Sequence, residues 1–321
     1  MASSYPILQR YANMQVNVKQ LQIDGMLASI RYNQGKTIFV CSSGTSTADG
    51  LSPSRPISTL AGGLAACTQA GNVGDVIYVL PGHAENISDN TTLKLNVSGV
   101  QIIGLGFGAQ RPTFTLDTGN TTAIPVSAAN ISVTNCIFIA NFLSIAACFT
   151  LTTAKDFNCI GCLFRDTNAT HNFLNIFKST GAANTVDGLT VTDNQWTSLG
   201  TSSVNTFVLT ANDIDRFTAL RNNITMLTTV NAGSLLIVTT GVITNADVGY
   251  NKCYRQNTTS TASLIQVGGT TSTGFVYNNY TQTLDTATNV LFTTSVGLAA
   301  FENRITGVVG ATGFVIPALD S

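Results

Sequence analysis

The chain has 321 residues, of which only 10% are charged: 15 Lys and Arg stand against 16 Asp and Glu, for a net charge of -1. A typical soluble domain is about a quarter charged, yet mean hydropathy is only +0.25, and polar residues interrupt every apolar run before the ~20 residues that a transmembrane helix needs. A hydrophobic content of 44% is too high for disorder, scarce Lys, Glu and Arg disfavour a helical bundle, and the lack of a basic block excludes nucleic acid and anionic membrane as partners. What remains is an all-β chain with a neutral surface of Thr, Ser and Asn.

Residues 1–36 form an apolar-punctuated arm that does not fit the rest of the chain. Four of the 15 basic residues sit in it (Arg10, Lys19, Arg31 and Lys36), opposed by one acid, Asp24. It reads either as a tail or cap piece or as a docking segment led by Tyr5, Ile7, Leu8, Arg10 and Tyr11. Residues 1–20 lack the apolar core of a signal peptide, so synthesis in a reducing cytosol is expected.

Residues 37–95 read as the entry cap of a larger body. A strand is predicted at 37–41 (TIFVC), a loop at 42–50, an N-capped helix at about 58–70 with small apolar residues on one side, and a strand at 74–82 (GDVIYVLPG) closed by a turn. The run Phe39, Val40, Gly44, then Gly50 to Pro53, Pro56, Thr59, Leu60 and Gly74 to Gly82 resembles the opening of right-handed parallel β-helix proteins of the pectin-lyase-like superfamily. It is most similar to the versions found in virion proteins of tailed bacteriophages. The resemblance spans roughly 37–310 and implies the fold far more strongly than the function, because that superfamily includes polysaccharide lyases, hydrolases, tailspikes and virion decorations.

The body at 96–307 supports the fold independently. An apolar alternation, a two-residue gap and a key position recur, with key positions at 105, 136, 162, 194, 222, 251, 278 and 303. From Asn194 onward the key residue is always Asn: 194, 222, 251, 278 and 303. A second apolar strand follows in most repeats. One turn of chain per ~25–30 residues, built from short strands and polar turns, is a parallel β-solenoid. Stacked coils place equivalent residues about 4.8 Å apart. A ladder is therefore expected through Cys136, Cys162, Asn194, Asn222, Asn251, Asn278 and Asn303, with Asn able to take the left-handed backbone at a bend and to bond along the stack. Residues 308–321 are apolar and read as a C-terminal cap over the last coil.

The chemistry-bearing residues are few. Seven cysteines, among them the pair Cys159 and Cys162, read as small apolar core residues, because no second pair or His pair is spaced for zinc. No cofactor or metal is expected. The acids comprise 14 Asp and 2 Glu. A glycan-cleaving coil needs carboxylates that converge from neighbouring turns, and the best group is Asp213 and Asp215 with Asp187 and Asp193 about one coil earlier, of which Asp193, Asp213 and Asp215 are the candidate catalytic acids. These acids read as solvated turn residues, which leads to the expectation that the chain is not an enzyme.

Two functional expectations follow from the resemblance. In the first, the chain is a structural virion protein of a tailed phage, a homotrimeric spike that decorates or cements the capsid, made in the host cytoplasm, with residues 1–36 on the major capsid protein. The alternative is a tailspike or fibre that binds or cleaves a host surface glycan. It predicts a groove lined by Trp196, Tyr250, Tyr254, Tyr277 and Tyr280 with Asp193, Asp213 or Asp215.

Overall fold

The structure, a computed structural model, describes residues 35–69, 73–201, 205–229, 234–238, 241–256, 265–267, 271–283, 292–293, 297–306 and 313–315. Residues 1–34 of the arm, with Tyr5, Ile7, Leu8, Arg10 and Tyr11, lie outside the described residues, as does most of the predicted C-terminal cap. The rest is an all-β parallel solenoid of about seven turns with one short helix near its start. Three sheets run along it. Sheet A begins at Thr37–Thr45 and ends at Gly297–Phe301. Sheet B runs from Ala84–Ile87 to Asn303–Thr306, where Gly313–Val315 adds an antiparallel strand. Sheet C runs from Ile124–Val126 to Phe292–Thr293. Each coil passes from A to B to C and back to A.

The short strands form because apolar and polar residues alternate, so one face of each enters a shared core. In sheet B the inward row is Phe114, Phe138, Phe164, Trp196, Ile224 and Cys253, paired residue for residue across successive coils. Its rings stack down the axis, Phe114 on Phe138 at 5.5 Å and Phe138 on Phe164 at 5.4 Å. Sheet C supplies Phe149 and Phe177, parallel at 5.6 Å. An interior void lined by Leu60, Leu93, Phe114 and Phe149 measures about 10 Å³, no more than one water needs, so this part of the core offers no ligand cavity.

From Asn135 onward the turn from A to B is only two residues long. Its first residue is left-handed in coil after coil: Asn135, Gly161, Asp193, Arg221, Tyr250, Asn278 and Glu302, with φ between 50° and 62°. Its second residue is the ladder. The amide oxygen of each ladder Asn accepts the backbone N–H of the ladder residue one coil earlier: Cys162 to Asn194 at 2.9 Å, Asn194 to Asn222 at 3.1 Å, Asn222 to Asn251 at 2.9 Å, Asn251 to Asn279 and Asn279 to Asn303 at 3.0 Å. Each amide nitrogen donates to a backbone carbonyl of the preceding coil, as Asn251 does to Ala219 at 2.8 Å. Two details differ from the expectation. The fourth Asn of the ladder is Asn279; Asn278 is the left-handed residue before it. The bend conformation thus belongs to the residue before each ladder residue, because the ladder side chain must point inward.

The entry helix, α1 (Leu60–Ala66), is shorter than the predicted 58–70. The Thr59 hydroxyl accepts from Gly62 N at 3.1 Å, and Glu85 Oε2 accepts from Leu60 N at 2.8 Å. The helix ends at Cys67, beyond which the buried Asp75 carboxylate takes the N–H of Thr68. Gly63 lets α1 lie on the sheet, since a Cβ there would come within 2.6 Å of Val40 Cγ2.

All seven cysteines are buried and free. Burial pushes the Cys67 and Cys253 thiols up to about 12, so both stay protonated and unreactive at neutral pH. Asp166 is the unusual core acid. Burial pushes its carboxyl up to about 6, although Phe173 N at 3.0 Å and Leu199 N at 2.9 Å donate to it. Because the folded pKa is raised above the unfolded one, this group favours the fold below about pH 4, and that contribution is lost as pH rises towards 6. We expect up to about 3 kcal/mol less stability at pH 7 than at pH 4 from this residue. Comparing urea melts of the wild type and Asp166→Asn across that range checks it; identical pH profiles would refute the assignment.

Candidate glycan-binding face

Interior ring stacking leaves the outer faces of the sheets for function, and the outer face of sheet A carries rings. One outward row, followed strand by strand, reads Phe39, Tyr78, Ile103, Thr134, Ile160, Thr192, Leu220, Gly249, Tyr277 and Phe301. At its C-terminal end, Tyr277 stacks on Phe301 at 5.3 Å with 13° between the planes, and Tyr250 meets Tyr277 edge-on at 5.4 Å. Phe275, in the neighbouring outward row, leans on Phe301 at 6.2 Å. Tyr250 is 53% exposed, Phe275 55% and Phe301 40%.

Gly249 makes this platform possible. It sits opposite Tyr277 in the row, and a Cβ there would fall 2.6 Å from Tyr277 Cζ. Without a side chain beneath it, the Tyr277 ring lies against the sheet, an arrangement in which an aromatic ring covers a strand glycine. The Tyr277 hydroxyl bonds to the Asp247 carboxylate; partial burial and then that carboxylate hold its pKa above the usual phenol value. On the adjoining corner, Arg221 and Asp193 form a bidentate pair, Nε to Oδ1 at 2.7 Å and Nη2 to Oδ2 at 2.8 Å. Their mutual bond lowers the Asp193 pKa and raises that of Arg221. Rings, a carboxylate and a guanidinium therefore face outward within four coils.

A second left-handed row borders the other end of sheet A at Gly74, Gly99, Asn130, Asp156, Gly188, Arg216 and Asn245. A shallow groove of about 540 Å³ follows it past Gly99, Asn130 and Asp156. Arg216 bridges Asp156 at 2.9 Å and Asp215 at 3.4 Å, and Lys155 lies 3.6 Å from Asp187.

The three acids singled out in the sequence do not converge. Asp213 accepts the Val242 N–H at 2.7 Å, and Asp215 accepts from Thr244 and Asn245 at 2.8 Å each. Both are turn-stabilising groups at the start of sheet A. Asp193 lies beyond the other end of the strand Thr190–Thr192, on the order of 15 Å along the chain from that start, too far to share one glycosidic bond. The predicted aromatic groove is also corrected. Trp196 is a core residue, 1% exposed, on the inward row of sheet B. Tyr250 and Tyr277 belong to the sheet A side, whereas Tyr254 and Tyr280 stand on sheet B. Phe301, Phe275, Gly249 and Arg221 were not anticipated. Among the described residues, no three of His, Cys, Asp and Glu gather as a metal-holding group, and no helix is long and apolar enough to cross a membrane.

The three-sheet parallel coil with its asparagine ladder is a parallel β-helix fold. Solved structures that share it include a rhamnogalacturonan lyase (14% identity, TM-score 0.37, 87% of this chain and 86% of that one) and the pectate lyase Pel9A (14%, 0.41, 85% and 78%). A third is the GH136 lacto-N-biosidase from Eubacterium ramulus (11%, 0.28, 93% and 73%). No protein-family model matches the sequence, and no curated protein does. At these identities the likeness is one of fold. The expectation that the chain is not an enzyme is nevertheless corrected, since two of these neighbours are lyases and the third is a biosidase.

Proposed function

We propose that the chain is a glycan-binding β-helix of the tailspike or fibre kind, and that the ring platform at the C-terminal end of sheet A holds the sugar. The observation that carries this reading is the stacked Tyr277–Phe301 pair with Tyr250 beside it, bordered by Asp247 and the Arg221–Asp193 pair. Pyranose rings offer apolar C–H faces that pack on aromatic faces. Their hydroxyls bond to carboxylates and guanidinium groups, so such a site is a few orienting polar groups around an apolar floor. Display on a phage virion, with residues 1–36 docked on the major capsid protein, rests on the resemblance of the entry cap and belongs to the proposal. Assembly as a homotrimer is supported by the apolar residues Ile103, Ile160 and Leu220 in the same outward row, which packing against a second copy would cover; the mass of the particle in solution tests it.

Tyr277→Ala is expected to weaken binding of the host surface polysaccharide about tenfold, equivalent to about 1.4 kcal/mol, with the melting transition little changed. Affinity electrophoresis in polysaccharide gels measures this, and reducing-end release in the same mixtures reads out cleavage. Unchanged retention of the variant would reject the platform as the binding site.

A further inference from the structure

The shallow groove on sheet A lies at its N-terminal coils, whereas the ring platform lies at its C-terminal ones. The second outward row of that face joins them. It reads Gln101, Ser132, Asn158, Thr190 and Thr218 on five consecutive strands, then reaches Asp247 and Phe275 at the platform. The groove lies over Gln101, Ser132 and Asn158, with Asp156 at its border and Ile160 of the neighbouring row on its far side. The glycines at 74 and 99 put no side chain into it. Its polar groups are held in place. Asn158 Nδ2 donates to the Asp156 carbonyl at 3.0 Å, and Arg216 bridges the Asp156 carboxylate at 2.9 Å. Charge along this border is paired, since Lys155 likewise stands 3.6 Å from Asp187.

Given the platform as a sugar site, on which this step rests, we infer that the groove is a second sugar subsite and that sheet A binds a neutral, extended glycan laid along the solenoid axis. Amide and hydroxyl side chains both donate and accept, as sugar hydroxyls do. Successive strands are about 4.8 Å apart, close to the length of one sugar in an extended chain, so each sugar meets one member of the row. Four strand steps separate Asn158 from Tyr277, about 19 Å, a span that about five sugars bridge. The paired border charges leave the groove little net field, which favours a neutral chain over an anionic one. A second copy packed on Ile103, Ile160 and Leu220 would raise the far wall of the groove without roofing it, because the two outward rows are about 7 Å apart along the strand. A chain that fills the platform reaches the groove as an intramolecular contact, so affinity rises with chain length.

The probes are β-1,4-linked oligosaccharides of glucose and of mannose, titrated into the full chain by calorimetry as the trisaccharide and the hexasaccharide. In at least one series the hexasaccharide should bind at least about tenfold more tightly than the trisaccharide. The double variant S132A/N158A should bind the hexasaccharide no more tightly than the trisaccharide, and so should Ser132→Trp, which fills the groove. Both positions face outward, and a thermal melt checks that the variants fold. Tyr277→Ala should weaken binding of both lengths. Equal affinity of the wild type for the two lengths, no hexasaccharide binding in either series, or an unchanged length preference in the groove variants would each overturn the groove as a subsite. Wild-type affinity for both lengths in Tyr277→Ala would instead reject the platform, and the continuous site with it.

Discussion

Asn251→Ala is expected to destabilise the solenoid by at least about 3 kcal/mol, the largest effect of any single polar substitution in the ladder. The Asn251 amide oxygen accepts two bonds from Asn222, from its N–H and from its Nδ2, each at 2.9 Å. The Asn251 Nδ2 donates to the Ala219 carbonyl at 2.8 Å. Alanine removes all three, and the Nδ2 bond to Asn279 Oδ1 at 2.9 Å as well, leaving two donors and one acceptor stranded where Asn222 is 1% exposed. A buried unpaired polar group costs roughly 1–3 kcal/mol, so three of them exceed the transfer cost of a methyl-sized void. Asn251→Asp separates the two halves of the bond set. Its carboxylate still accepts from Asn222 but has no proton for Ala219 once ionised, so it too should be weakened, and more so at neutral than at acid pH. Urea-melt midpoints test both, or unfolding rates if refolding is incomplete. A loss below 1 kcal/mol in Asn251→Ala would mean that the strand ladders alone hold the coils in register.

The second large effect is expected at Phe177. This ring is fully buried and lies against Phe149 at 5.6 Å, Phe164 at 5.7 Å and Phe207 at 5.3 Å. Phe177→Ala should cost about 3–5 kcal/mol, because the neighbouring strands are hydrogen-bonded on both sides and cannot collapse into the space. Phe177→Leu keeps most of the volume and should cost less than half as much. Thermal melts of the two variants should therefore rank wild type, Leu, Ala. If Ala and Leu are equal, the ring contacts rather than the filled volume carry the stability.

Much of this architecture is readable in the amino-acid order. The repeat of about 25–30 residues, the Cys-to-Asn transition after Cys162 and the short helix all follow from local patterns that sterics and hydrogen bonding leave little freedom to realise otherwise. The misplaced ladder residue shows where such reading fails. At 278 and 279 both residues are Asn, and either register gives a plausible alternation. Choosing Asn278 turns Phe275 and Tyr280 inward as core rings. Choosing Asn279 turns Val276 and Thr281 inward and puts Phe275, Tyr277 and Tyr280 on the surface. A one-residue slip reverses every side chain of a strand, and that slip hides Phe275, the ring that leans on Phe301. Trp196 fails for the opposite reason: a large ring suits a sugar groove by type, but its place two residues after Asn194 fixes it inward. The left-handed row at Gly99, Asn130, Asp156, Gly188 and Arg216 was not legible, because its residue types differ and the connections leading to it change length from coil to coil.

That unevenness bears on how such a chain can grow. The corner between sheets A and B is two residues long from Asn135 to Asn279, and its second position must meet the coil on either side. An inserted residue there would break the register with both neighbours. The return path from sheet C to sheet A instead runs from Val126 to Ser132 in one coil and from Ser179 to Thr190 in another. Insertions can thus accumulate along one border of the solenoid while the opposite border, from Asn135 onward, keeps its length. Duplication of a whole coil lengthens both outer faces by one fixed step and leaves every existing step in place. Lineages of this fold can lengthen or shorten their binding faces in whole coils and vary their loops separately.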